Sequence, residues 1–87
     1  MHAIIIYDVD QRRVRRVCKF LRQHLTWVQN SAFEGELSES RLARIRSALA
    51  RLIDPALDSI YIYTVANPAW LRRDVLGQQR GLTGQII

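Results

Sequence analysis

Residues 3–10 read Ala-Ile-Ile-Ile-Tyr-Asp-Val-Asp, and residues 11–22 continue Gln-Arg-Arg-Val-Arg-Arg-Val-Cys-Lys-Phe-Leu-Arg. An isoleucine-rich run with an aromatic residue and neither Gly nor Pro suits a strand over 3–9, central in a sheet and covered on at least one face. Asp8 then falls at its carboxyl end. Over 12–25 the period changes: Val14, Val17, Cys18, Leu21 and Leu25 recur at helical spacing, and Arg12, Arg13, Arg15, Arg16, Lys19 and Arg22 fill the other positions. The segment is an amphipathic helix with a basic outer face. Asp10 is its expected N-cap, accepting amide hydrogens of the first turn at the positive end of the helix dipole.

Beyond this unit, 26–30 and 31–37 are two short stretches rich in β-branched and aromatic residues around the polar Asn30-Ser31 step. They read as a hairpin in preference to a bulged strand pair. Ser38 caps a second helix over 39–53, with the stripe Leu42, Ile45, Leu49 and Leu52 opposite Arg41, Arg44 and Arg51. Asp54-Pro55 ends it. The stretch 59–65 carries bulk on both faces, Ile60, Ile62 and Thr64 against Tyr61, Tyr63 and Val65, and is expected to be covered on each side. After Asn67-Pro68, residues 69–76 have room for one or two helical turns, and Gly77, Gly81 and Gly84 loosen the tail. The order βαββαβ predicts an α+β, ferredoxin-like domain over 1–87, two helices on one face of a four-stranded antiparallel sheet. Strands apolar on both faces, with helices on one, point to two sheets stacked across a homodimer.

A chain of 87 residues buries only about 60% of the surface its unfolded form exposes, which also favours association. Thirteen basic residues against eight acidic ones give a net charge of +5 and a sequence pI near 10.4, above the value of about 9 that marks nucleic-acid-binding domains. Twelve of the basic residues are Arg, whose planar fork meets phosphate oxygens in pairs. A single cysteine, Cys18, excludes an internal disulfide and a Cys-cluster metal site, and fits a reducing cytoplasm. The apolar run at 3–7 has no basic segment before it and is too short to span a bilayer, so neither a signal peptide nor a membrane span is expected.

Asp8 is the residue with most chemical scope. Magnesium takes oxygen ligands and commonly only one or two carboxylates, completing its shell with water and substrate phosphate. One Asp per chain is too little, but two Asp8 carboxylates related by a dimer axis would hold one shared Mg2+. The other reading is that Asp8 ends the strand and caps the following turn. Arg12, Arg13, Arg15, Arg16 and Lys19, with Arg41 and Arg44 on the second helix, form two basic ridges suited to phosphate backbone; a solvated helix face is the alternative. His2 and His24 are too far apart in sequence for a metal cluster and read as surface or helix-end residues. Tyr61 and Tyr63 read as dimer-interface packing, and Phe33 as either a core anchor or a contact beside the metal.

Together, the strand ending Tyr7-Asp8, the Arg-rich helix, the segment Val28-Gln29-Asn30-Ser31-Ala32-Phe33-Glu34-Gly35 and the Ser38-led helix resemble the small CRISPR-associated endoribonuclease family that accompanies the adaptation integrase. The resemblance runs from residue 1 to about 65, with a weaker match in the tail. It implies a homodimer whose first-strand aspartates face each other across the two-fold axis. It also implies a C-terminal strand, here 83–87 within a dimer-associated segment 77–87, that extends the partner's sheet. The positions matching the family's functional residues are Tyr7, Asp8, Arg16 and Phe33. Asn30 departs from the pattern where Tyr is frequent, and Trp27 where some members carry a basic residue; Trp27 then either stacks on a base or packs.

Two functions follow from these features. One is a metal-dependent endonuclease hydrolysing single-stranded RNA or double-stranded DNA at the Asp8 pair. The other is a non-catalytic dimeric bridge between integrase subunits and captured DNA, which needs the basic ridges and the tail but not the carboxylate. A small-molecule-sensing regulatory domain has no ligand-like motif in its favour and leaves the pI unexplained.

Overall fold

Two amphipathic helices and four short strands bury their apolar sides together when both helices lie on one face of a sheet. The computed structural model, which describes residues 1–77, has that arrangement. In chain order the elements are β1 (His2–Asp8), α1 (Gln11–Arg22), β2 (Thr26–Gln29), β3 (Ala32–Glu36), α2 (Glu39–Leu52) and β4 (Ser59–Val65), followed by a 3-10 turn at Pro68–Trp70. The strands pair antiparallel in the order β2-β3-β1-β4. This is the expected α+β, ferredoxin-like βαββαβ fold.

Alternation along β1 sorts its side chains. Ala3, Ile5 and Tyr7 are buried beneath the helices with Phe33 and Leu37, against Val17 and Leu21 of α1 and Leu42, Ile45 and Leu49 of α2. Each large side chain buried in this way contributes about 1.5–3 kcal/mol. Gly35 lies opposite Ala3 on β3, where a Cβ would stand 2.9 Å from Leu25 Cδ2. Its missing side chain lets Leu25 close the core. His2, Ile4, Ile6 and Asp8 point to the other face, beside Val65, Tyr63, Tyr61 and Ser59 of β4 in register.

The boundaries differ from expectation in ways that have local causes. β1 spans His2–Asp8, not 3–9, because the chain leaves the ladder after the Asp8–Ser59 rung. α1 stops at Arg22, not at residue 25: the amides of Gln23 and His24 bond back to Phe20 and Leu21, a tightened last turn that frees Leu25 to enter the core. The hairpin forms, and it also carries a bulge between Trp27 and Gln29, with Asn30 in the left-handed region at φ 41°. α2 ends at Leu52, since Ile53 is extended. In 69–76 only the Pro68–Trp70 turn forms, capped by Asn67 Oδ1 on the Ala69 amide, and Leu71 is already extended.

The expectation that β4 is covered on each side fails for the single chain. Ile6, Tyr61 and Tyr63 are 40%, 58% and 53% exposed on the helix-free face. The strand expected at 83–87 lies outside the described residues.

Candidate functional site

Asp8 is the last residue of β1, paired with Ser59, and its side chain is exposed at one end of the helix-free face beside the Ile6–Tyr61 pair. Among the described residues its carboxylate has no hydrogen-bond or ion-pair partner. The turn after it is capped by other groups, so capping does not occupy Asp8. Asp10 Oδ1 accepts the Arg12 amide at 2.9 Å and Arg12 Nε at 3.2 Å. Those bonds, the backbone amide first, hold the Asp10 carboxyl below its ordinary range. Among the described residues no group of three or more His, Cys, Asp or Glu side chains is arranged to hold a metal.

Asp58, which the sequence did not mark, stands directly behind this end of the sheet. Its side chain is fully buried. Oδ1 accepts the Asp10 amide at 3.0 Å and Arg13 Nη2 at 3.0 Å; Oδ2 accepts Arg13 Nε at 2.6 Å and the Asp54 amide at 2.8 Å. The Arg13 fork, followed by the two backbone amides, holds this carboxyl far below the usual carboxylate range despite its burial. The Asp54-Pro55 signal marks a turn in the sequence, but nothing in the spacing shows which nearby carboxylate turns inward.

The four residues matched to functional positions do not form one cluster. Period-two alternation puts Tyr7 on the opposite face from Asp8, buried, with its ring 6.0 Å from that of the fully buried Phe33. The Tyr7 hydroxyl donates to the Asn30 carbonyl at 3.3 Å and accepts from the Cys18 thiol at 2.9 Å. Burial, and then that thiol contact, push the phenol above its ordinary pKa, so it is a neutral core group. Trp27 packs partly against the core and donates from Nε1 to the same Asn30 carbonyl at 3.1 Å. Tyr7 and Trp27 therefore both pin the hairpin turn, and the Tyr7 amide adds a bond to the Ser31 carbonyl at 3.0 Å. Of the two readings of Phe33, the structure shows the core anchor.

Arg16 lies on the outer surface of α1 and joins Arg15, Lys19 and Arg22 around a shallow groove of about 590 Å³ floored by Val14 and Cys18. Among the described residues none of these four cations is ion-paired, and neither is Arg41 or Arg44 of α2. Arg13 is a correction to the expected ridge: its guanidinium, 19% exposed, is committed to Asp58. Arg12 is exposed but shared with Asp10. The second ridge borders a groove of about 400 Å³ lined by Phe20, His24, Arg41, Arg44, Ile45 and Ala48.

His24 follows the last turn of α1, a helix-end residue as expected, whereas His2 departs from the surface reading. His2 is half-buried on the helix-free face, its Nε2 2.8 Å from Oε2 of Glu34, and Arg73 reaches the other oxygen of that buried carboxylate. His24 is half-buried with its ring centroid 4.9 Å from that of Phe20. Glu34 is a second inward-turned carboxylate that the sequence did not mark; its partners are 32 and 39 residues away in the chain. Among the described residues no helix is long and apolar enough to cross a membrane.

A family model described as CRISPR associated protein Cas2 matches residues 1–73. The CRISPR-associated endoribonuclease Cas2 of Thermococcus kodakarensis is 45% identical over 87 residues, covering all of both chains. A protein named CRISPR-associated endoribonuclease Cas2 3, from Thermodesulfovibrio yellowstonii, is 40% identical over 86 residues, covering 99% of this chain and 98% of its own. A solved structure titled "Crystal structure of cas2" superposes with a TM-score of 0.82 at 38% identity, covering 100% of this chain and 98% of the other. The chain belongs to the CRISPR associated protein Cas2 family.

Proposed function

We propose that this chain acts in CRISPR adaptation as a homodimeric, magnesium-dependent endonuclease that hydrolyses phosphodiester bonds of single-stranded RNA, double-stranded DNA or both. The observation that carries this reading is Asp8: an exposed carboxylate without a protein partner among the described residues, at the end of an apolar sheet face that a second copy would cover. The relatives named endoribonucleases support the reaction class.

One carboxylate suits magnesium only if further oxygens come from elsewhere, and a second Asp8, water and substrate phosphate are the sources this surface allows. An ion held there supplies Lewis-acid activation of the phosphoryl group and of the attacking water. The protein's own part is spatial and electrostatic. Asp8 would hold such an ion, and Arg15, Arg16 and Lys19, with Arg41 and Arg44, would bind phosphates and set the path of the nucleic acid. Tyr7 and Phe33 act from the core, fixing the β1 end and the hairpin. The cytoplasm is the compartment in which such a substrate is met.

A second reading, a non-catalytic bridge between integrase subunits and captured DNA, is favoured by the cations on both helices that have no ion-pair partner among the described residues. The test is cleavage of labelled single-stranded RNA and double-stranded DNA, with magnesium or with EDTA, by wild type and Asp8→Ala. Metal-dependent cleavage abolished in Asp8→Ala, with dimer and DNA binding intact, is the expected result. Absent cleavage, or cleavage indifferent to Asp8, would leave the bridge as the function.

A further inference from the structure

Among the described residues nothing holds the Asp8 side chain, yet a metal or phosphate site needs its ligand held within a fraction of an ångström. We infer that Asp58 is the positioning residue for Asp8, a buried carboxylate that ties the two strands of the β1–β4 ladder together just beyond the rung in which Asp8 lies. The inference rests on the nuclease reading for its functional meaning but not for its geometry.

Asp8 pairs with Ser59 in the last rung. Asp58 precedes that rung on the β4 side and Asp10 follows it on the β1 side, and the Asp10 amide donates to Asp58 Oδ1 at 3.0 Å. The rung is thus enclosed between the backbone ladder and a side-chain tether. The same carboxylate takes the Asp54 amide, which ties in the turn after α2, and the Arg13 fork, which ties in the first turn of α1. Four donors on two oxygens leave little room for rearrangement. Strand ends otherwise open at small free-energy cost, and an error of about 1 Å in a reacting group costs on the order of 100-fold in rate. Asp58 is buried behind the sheet end, whereas Asp8 is exposed on the helix-free face. Its action is through the backbone, and it needs no contact with substrate.

The test compares wild type, Asp58→Asn, which keeps one acceptor oxygen and loses the charge, and Arg13→Lys, which keeps the charge and loses the fork. Each is measured well below its own melting temperature, so that the folded fraction is constant. Two readouts are taken: kcat and KM on whichever of labelled single-stranded RNA and double-stranded DNA the wild type cleaves, and broadening of the Asp8 carboxyl 13C resonance by Mn2+. The expected result for Asp58→Asn is a fall in kcat of about 10–100-fold with KM within about twofold, and a rise of about tenfold in the Mn2+ needed for broadening. Arg13→Lys lies between it and wild type, and carries the test if Asp58→Asn does not fold. Folded variants that match wild type in both readouts would overturn the inference and leave Asp58 as a stabilising residue only. If wild type fails to cleave, or cleaves independently of Asp8, the nuclease reading falls. The Asp8 resonance then decides the positioning role alone: an altered Mn2+ response in the variants upholds it, and an unaltered one overturns it.

Discussion

Asp8 and Asp58 sit at the same end of the same strand pair and do opposite things. Asp8 is exposed and unpartnered among the described residues; Asp58 is buried and takes four donors. The first is legible in the sequence because it terminates an apolar run, and a charge there either faces solvent or does chemistry. The second is not, because three of its four donors lie 45 and 48 residues away, on Arg13 and Asp10, and only folding brings them near. The same holds for Glu34, whose partners His2 and Arg73 come from β1 and the segment after β4. The Asp58 arrangement has a pH signature. Its folded-state pKa is depressed below the unfolded value of about 3.9, so the stabilisation is complete above about pH 5 and disappears as pH falls through and below the unfolded value. Thermal melts from pH 7 to pH 2 should show a steeper acid loss for wild type than for Asp58→Asn. At pH 7 the variant should melt lower by roughly 10 °C, because it leaves Arg13 half-buried without its counter-charge. Parallel acid limbs would contradict the assignment.

At the scale of elements, the two helices show where hydrophobic periodicity is informative and where it stops. Val17 and Leu21 of α1, and Leu42, Ile45 and Leu49 of α2, are buried as their spacing requires, and Asp10 and Ser38 cap the helices as their positions suggest. Periodicity cannot separate one exposed arginine from another, and so it groups Arg13 with the ridge that Arg15, Arg16 and Lys19 form. Nor can it distinguish the last turn of α1 from the chain reversal that follows, which depends on Leu25 reaching the space left by Gly35. The functional content of the ridge is measurable. Arg15→Ala, Arg16→Ala and Lys19→Ala together should weaken duplex binding. They should also flatten the plot of log affinity against log salt by up to about 0.9 for each phosphate that is no longer neutralised, with helix content unchanged by circular dichroism. An unchanged salt slope would make α1 a solvated face and move the nucleic-acid path to α2.

For the whole molecule, element order is legible to the level of the βαββαβ fold, because strand and helix periods differ and each turn carries its own punctuation at Asp10, Asn30, Ser38 and Asp54-Pro55. What the order implies but one chain does not complete is the helix-free face, where Ile6, Tyr61 and Tyr63 remain exposed and Asp8 stands at the end of their row. A surface of that character is stable in water when a second copy covers it. Ile6→Glu or Tyr61→Glu should therefore shift sedimentation from dimer to monomer at micromolar concentration while the chain keeps its fold, and a variant that remains dimeric would place the interface elsewhere. In the proposed dimer, covering this face would bring two Asp8 side chains together at one shared site. Counting bound Mn2+ by electron paramagnetic resonance titration tests this most directly. One ion for every two chains in the wild type, and none at the same affinity in Asp8→Asn, is the expected result; one ion per chain, or binding that survives Asp8→Asn, would rule out a site shared by two Asp8 carboxylates.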